Sequence, residues 1–89
     1  MSFVRNEKLL HRALTEKIIG TFYDVYNELG YGFLEKVYEN ALAYELRHRG
    51  FEVKQQYAID VYYRDLVVGH YVADLIVNEQ VVLELKVVK

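Results

Sequence analysis

The sequence predicts an α+β fold in which a helical hairpin is followed by a three-stranded antiparallel meander. Two observations carry this prediction. In the first half of the chain, apolar residues recur with the period of about 3.6 residues that is typical of amphipathic helices. From Phe51 onward the period becomes about two residues, as in half-buried strands, and the short connections favour antiparallel pairing of consecutive strands. With 89 residues, the chain is predicted to form one domain.

Two helices are predicted, separated by the turn Gly30-Tyr31-Gly32. The first spans residues 15–29 and has Thr15 as its N-cap. An N-terminal extension of this helix through Leu9, Leu10 and Leu14 is left open. The second helix begins at about Phe33 and ends at Gly50, because glycine suits the position that follows a helix. Its predicted apolar stripe comprises Leu34, Val37, Tyr38, Ala41, Leu42 and Leu46.

Three strands are predicted at residues 51–63, 66–77 and 81–88. The turns between them are Arg64-Asp65 and Asn78-Glu79-Gln80, since polar residues of this kind favour turns. Gly69 interrupts the second strand and marks a candidate β-bulge. The order of elements is therefore two helices followed by three strands, with no internal repeat.

The composition excludes several classes of protein. The formal net charge of −2 lacks the basic excess that is typical of proteins binding nucleic acid through phosphate contacts alone. Without cysteine, the chain holds neither a disulfide framework nor a thiolate metal site. It shows no signal-peptide pattern and no membrane-spanning run, so we expect a cytoplasmic protein with no membrane partner.

The register of the last hairpin decides whether Asp74 and Glu84 can meet. Directly opposed residues of an antiparallel pair share one face of the sheet. A two-residue loop would put these two carboxylates on opposite faces. A three-residue loop at residues 78–80 places Asp74 opposite Glu84 and puts Lys86 on the same face. The other face is then wholly apolar and comprises Tyr71, Ala73, Leu75, Val77, Val81, Leu83, Leu85 and Val87.

The opposed carboxylates of Asp74 and Glu84 predict a metal site. Like charges directly across a strand pair are destabilising, and a divalent cation between them would remove the repulsion. Carboxylate oxygens and waters are the ligands that Mg²⁺ prefers, and Lys86 would then orient or activate a bound water. The alternative is a solvent-facing strand surface with a simple Glu–Lys pair. Apolar flanking favours the metal site, since charges in such a strand need a partner.

Two sequence signatures coincide in this chain. One is Gly32-Phe33-Leu34-Glu35-Lys36-Val37-Tyr38, a GxxExxY motif at the start of the second helix, and the other is Asp74-x9-Glu84-Leu85-Lys86. Together with Tyr44-Glu45-Leu46 and Gln55-Gln56, they resemble the GxxExxY family, a branch of the PD-(D/E)xK nuclease-like superfamily. The resemblance spans the sequence from Thr15 to its C-terminal end.

The resemblance implies a restriction-endonuclease-like core of the order αβββαβ, with the active site on the central hairpin. It implies that Asp74, Glu84 and the backbone carbonyl of Leu85 bind Mg²⁺ or Mn²⁺. Lys86 would assist the attacking water, and Glu35 would serve as a further ligand or an orienting group. The implied activity is metal-dependent hydrolysis of phosphodiester bonds, with DNA as the substrate expected of the superfamily.

Several of these residues also have an alternative, structural interpretation. Glu35 is also the kind of acid that a helix dipole favours in the first turn. Tyr38 lies on the apolar stripe, which favours core packing over catalysis. Strand alternation lets only one of Gln55 and Gln56 face the site. His70 shares the face of Asp74 in the preferred register, whereas the remaining histidines, His11 and His48, lack ligand spacing.

Relatives in this family continue past the Glu-x-Lys motif with a further helix and strand. We therefore expect residues 1–89 to be a single nuclease-like domain that is truncated and lacks the C-terminal αβ part of the core. The third strand is then expected to be an exposed edge, and the apolar face at Leu83, Leu85 and Val87 to lose cover. Both features predict a homo-oligomer. They also leave a second function open, a non-catalytic oligomerising interaction module.

Overall fold

The computed structural model describes residues 11–86 and the backbone of residues 2–5. The predicted α+β architecture is confirmed: two helices pack on an antiparallel sheet that contains the predicted meander. In chain order the elements are β1 (Ser2–Arg5), α1 (Arg12–Leu29), α2 (Glu35–His48), β2 (Val53–Tyr63), β3 (Leu66–Val77) and β4 (Val81–Lys86). The predicted positions Leu9, Leu10, Val87 and Val88 lie outside the described residues.

The sheet has four strands in the order β1-β4-β3-β2. The first strand was not predicted. It runs antiparallel to β4, with Ser2 opposite Lys86 and Arg5 opposite Leu83. The prediction of an exposed edge at the third predicted strand is therefore wrong, because β1 covers that edge and β4 is an inner strand. Among the described strands, the two edges of the sheet are β1 and β2.

The first helix begins earlier than predicted. It starts at Arg12, and His11 occupies the N-cap position without a side-chain hydrogen bond to the helix. The prediction of Thr15 as the N-cap is wrong, since Thr15 lies inside the first turn and is 1% exposed. It shares the buried helix face with Ile18 and Phe22, three and seven residues further on. Packing on this face, rather than a cap, accounts for the position of Thr15.

The core lies between the helices and one face of the sheet. The predicted apolar face is buried at each of its positions from Ala73 to Leu85, and Leu83 and Leu85 are 0% and 1% exposed. The expected loss of cover at these two residues is therefore wrong, because the apolar sides of α1 and α2 cover them. The core cluster comprises Ile18, Phe22, Leu42, Ala43, Leu46, Val53, Leu75, Val77, Val81, Leu83 and Leu85.

The loop between β3 and β4 has the predicted three residues. Val77 pairs with Val81 across Asn78-Glu79-Gln80, which confirms the register that places the two carboxylates on one face. Asn78 also ties the loop to the segment before β2: its N–H donates to the Glu52 carbonyl, and its side-chain oxygen accepts the Glu52 N–H, both at 2.8 Å. These bonds fix the loop of the β3–β4 hairpin. The same hairpin carries the candidate site.

None of residues 58–72 of the hairpin β2–β3 is buried, and we call this segment the arm. The strand register shifts between Val61 and Tyr62, next to the residue Gly69 that pairs with Val61, so the irregularity lies where a bulge was predicted. Large apolar side chains that are at least 38% exposed are concentrated on this arm, at Val61, Tyr62, Tyr63, Leu66, Val67, Val68 and Val72. Neither described helix combines the length and apolarity needed to cross a membrane.

Candidate metal centre

The GxxExxY motif builds the connection between the two helices. Gly30 and Gly32 adopt φ values of 82° and 102°, in the left-handed region that favours glycine. The Tyr38 hydroxyl donates to the Gly30 carbonyl at 2.6 Å and accepts the Phe33 N–H at 3.4 Å. Tyr38 is 2% exposed, which confirms its predicted place in the core. The tyrosine thus fixes the turn from which Glu35, the first residue of α2, projects.

Substitution of Tyr38 by phenylalanine tests this role. Tyr38→Phe removes the hydroxyl that holds the turn but keeps the ring packed against Tyr26 and Phe33. We expect the free energy of unfolding, measured by urea titration, to fall by about 1 kcal/mol, the net value of a typical hydrogen bond. Tyr44→Phe is the matched control on the same helix, because Tyr44 is 69% exposed. Equal stability of the two variants would contradict the role of the Tyr38 hydroxyl.

The carboxylate of Asp74 lies where β3 and β4 part. The two strands pair from Val77–Val81 to Leu75–Leu83. Continuation of this register places Asp74 opposite Glu84. At this point the Asp74 Oδ2 atom accepts the backbone N–H of Leu85 at 2.7 Å, so a side chain of β3 contacts the backbone of β4.

An open pocket of about 500 Å³ lies at this parting of the strands. Each residue predicted for the site lines it: Glu35, Asp74, Glu84, Leu85 and Lys86. Tyr71 and Val72 complete the lining. Residues from a helix N-terminus and from two strands therefore meet in one place, as the two sequence signatures predict. Their roles as ligands and catalysts stay predictions.

A family model of the PD-(D/E)XK nuclease superfamily matches residues 12–89. The chain belongs to this superfamily. No curated protein and no solved structure gives a significant match. The matched residues of this nuclease-superfamily domain include both helices, the last three strands and every residue that lines the pocket.

The oxygen atoms of the acids that line the pocket of this nuclease-superfamily domain are of the type that suits a hard divalent cation. Within residues 11–86, no three histidine or acidic side chains converge as a metal-binding group. Asp74, Glu84 and Glu35 therefore share the pocket without forming a three-acid cluster. Mg²⁺ is commonly held by only one or two carboxylates and completes its shell with waters. The opposed pair Asp74 and Glu84 is a donor set of that kind.

Glu39 is a buried acid of this nuclease-superfamily domain that was not among the residues predicted for the site. It is 3% exposed, and its carboxylate accepts hydrogen bonds from the side chains of Lys36, Gln55 and Gln56 at 3.0, 2.8 and 2.8 Å. Its spacing offered a signal, since it precedes the buried Leu42 and Leu46 by three and seven residues. A charged residue on that face requires polar partners inside the fold.

The glutamine pair and His70 differ from their expected environments. The side-chain amides of Gln55 and Gln56 both donate to Glu39, although strand alternation would send only one of them toward α2. Gln56 breaks the alternation because its φ is 52°. His70 lies on the arm, where its Nδ1 atom is 2.6 Å from an oxygen of Asp60, and it does not line the pocket.

Proposed function

We propose that this domain of the PD-(D/E)XK nuclease superfamily is a metal-dependent phosphodiesterase that acts on nucleic acid. DNA is the expected substrate, and Mg²⁺ or Mn²⁺ is the expected cofactor. The observation that carries the proposal is the convergence of Asp74, Glu84 and Lys86 on one open pocket. Within the superfamily, we assign the chain to the GxxExxY branch, because Gly32 and Tyr38 build the turn that presents Glu35.

Asp74 and Glu84 are the proposed ligands of the cation, with the Leu85 carbonyl as an additional donor. When bound, the cation acts as a Lewis acid and lowers the pKa of its water. The Leu85 N–H holds one oxygen of Asp74 at 2.7 Å, which restricts rotation of the carboxylate. Hydrogen bonds of this kind, made to a metal ligand by a group that does not itself bind the metal, orient the ligand and raise the affinity of the site for the metal.

Lys86 and Glu35 are the proposed groups that act on the attacking water. The Lys86 side chain is exposed at the pocket, where its ammonium group can donate to the water and to a phosphate oxygen. Glu35 begins α2 and also lines the pocket, where its carboxylate can accept a proton from the water. The pocket is open to solvent, as a site for a polymeric substrate must be.

A cleavage screen tests the proposed activity. The protein is incubated with single- and double-stranded DNA and RNA in the presence of Mg²⁺, Mn²⁺ or a chelator, and the products are separated by size. We expect cleavage of at least one DNA substrate with a divalent cation and none with the chelator. Cleavage that persists in the chelator, or no cleavage of any substrate with either cation, would contradict the proposal.

A non-catalytic oligomerising interaction module is the second candidate function. The exposed apolar side chains of the arm favour it, since large exposed apolar patches mark interaction surfaces. Because β1 covers β4 and the helices cover the apolar face of the sheet, the proposed contact between copies moves to the arm and to the edge strand β2.

Light scattering over a range of protein concentrations tests the second candidate. It predicts a stable oligomer that Leu66→Lys and Val68→Lys dissociate, because both residues are more than half exposed on the arm. The matched control is Tyr44→Lys, at an exposed residue of α2 outside the arm. A monomer at all concentrations contradicts the interaction module, and an oligomer without cleavage favours it over the nuclease.

A further inference from the structure

Asp74 lies between two interruptions of the strand pairing. On one side, the pairing of β3 with β4 ends one residue before Asp74, at Leu75–Leu83. On the other side, Gln56 of β2 lies across from Asp74, yet these two residues do not pair. The pairs on either side of them keep one register, at Gln55–Leu75 and Tyr57–Ala73. The gap is therefore local to Gln56 and Asp74.

The backbone of Gln56 accounts for this gap. Its φ of 52° lies in the left-handed region, which is strained for a residue that carries a Cβ. In a regular strand, Gln56 would face away from Gln55 and stand beside Asp74. The left-handed backbone instead turns the Gln56 side chain toward α2, where its Nε2 atom donates to Glu39 at 2.8 Å.

The buried carboxylate of Glu39 holds this conformation. One of its oxygens accepts the amide of Gln56, and the other accepts the amide of Gln55 and the ammonium group of Lys36. Hydrogen bonds to a charged group stabilise more than those between neutral groups, so the bond from Gln56 to Glu39 offsets the backbone strain at Gln56. Strain that surrounding contacts maintain in this way is common near functional sites.

The consequence for the pocket follows from strand geometry. Directly opposed residues of an antiparallel pair have Cβ atoms only about 5 Å apart. A regular strand at Gln56 would place its side chain directly beside Asp74. Gln56 and Asp74 would then pair, and the pairing of β2 with β3 would be continuous at this point. The left-handed turn removes the side chain from that position and leaves Asp74 bonded to β4 through the Leu85 N–H.

We infer that Gln56, held in a left-handed conformation by Glu39, is a positioning residue for the carboxylate of Asp74. This inference rests on the proposed function, in which Asp74 binds a divalent cation. Glu39 lies four residues after Glu35 on α2, so the same helix presents one acid to the pocket and uses another to shape β2. Neither Gln56 nor Glu39 lines the pocket, and both act through Asp74.

The test compares Gln56→Ala with Gln56→Gly in the full chain. Both variants delete the amide that bonds Glu39, but only glycine adopts a positive φ without strain. The affinity for Mn²⁺ is measured by calorimetry. We expect Gln56→Ala to weaken it by about 10- to 100-fold, as loss of an outer-shell group does, and Gln56→Gly to stay closer to the wild type. In thermal unfolding, Gln56→Gly should be the more stable variant, the reverse of the usual order in a strand.

A second pair of variants keeps the test independent of the folding of Gln56→Ala. Gln56→Asn and Gln56→Ser both carry short polar side chains, but asparagine tolerates the left-handed region better. Equal Mn²⁺ affinities within each pair would overturn the positioning role while the metal site stands. Absence of Mn²⁺ binding in the wild-type chain would instead overturn the metal site of the proposed function, and the positioning role with it.

Discussion

Replacement of Lys86 by alanine is expected to lower the turnover of nucleic-acid cleavage by about 100- to 10,000-fold, the usual effect of losing a group that assists proton transfer. Lys86 is the cationic side chain among the residues that line the pocket, and it shares the pocket with the acids Glu35, Asp74 and Glu84. Its loss removes the ammonium donor while the carboxylates remain. The metal affinity should therefore survive in Lys86→Ala, and the loss should fall on kcat.

The matched control for Lys86 is Lys54→Ala. Lys54 is an exposed lysine of β2 that donates to Glu79 in the loop at 2.9 Å, and it does not line the pocket. Initial rates at several substrate concentrations, with Mg²⁺ saturating, separate kcat from KM for both variants. Lys54→Ala should cleave at the rate of the wild type. Unchanged turnover in Lys86→Ala would remove this lysine from the mechanism.

Leu75→Ala is expected to have the largest effect on stability. Leu75 is 0% exposed and belongs to the core cluster, and it pairs with Leu83 beside the parting of β3 and β4. Truncation of a buried leucine removes apolar surface and leaves a cavity, which together lower the free energy of unfolding by about 2–5 kcal/mol. A domain of 89 residues is only marginally stable, because it buries a smaller fraction of its surface on folding than a larger domain does. The variant should therefore unfold at a much lower urea concentration than the wild type.

Val68→Ala is the matched control on the same strand. Val68 is 54% exposed on the arm, so its truncation should change the free energy of unfolding by less than about 0.5 kcal/mol. Urea titration followed by circular dichroism measures both variants. Similar losses in Leu75→Ala and Val68→Ala would mean that the side of the sheet facing α1 and α2 does not form the core.

Residues whose environment is set by nearby sequence were predictable. Strand alternation identified the apolar face that contains Leu75 and Leu83. A three-residue loop at 78–80 fixed the register whose continuation places Asp74 opposite Glu84. The glycines of the helix connection were predictable for the same reason, because Gly30 and Gly32 supply positive φ values within a short turn. These features depend on contacts between residues close in the chain.

Features set by distant contacts were not predictable. Strand β1 has four residues, too few to show a period, and its partner β4 lies at the other end of the sequence. Glu39 occupies a position where hydrophobic periodicity expects an apolar residue, and beside Lys36 of its own helix its partners are Gln55 and Gln56 of β2. The left-handed backbone of Gln56 is imposed by that contact. Local sequence rules are expected to fail at strained or functional positions of this kind.

Calorimetric titration with Mg²⁺ and Mn²⁺ tests most directly whether the carboxylates at the parting of β3 and β4 bind a divalent cation. The wild-type chain should bind the cation, and Asp74→Ala combined with Glu84→Ala should abolish binding. Glu79→Ala is the control, because this exposed acid lies in the loop and bonds Lys54. Metal binding that is unchanged in the double variant, or absent from the wild type, would contradict the proposed site.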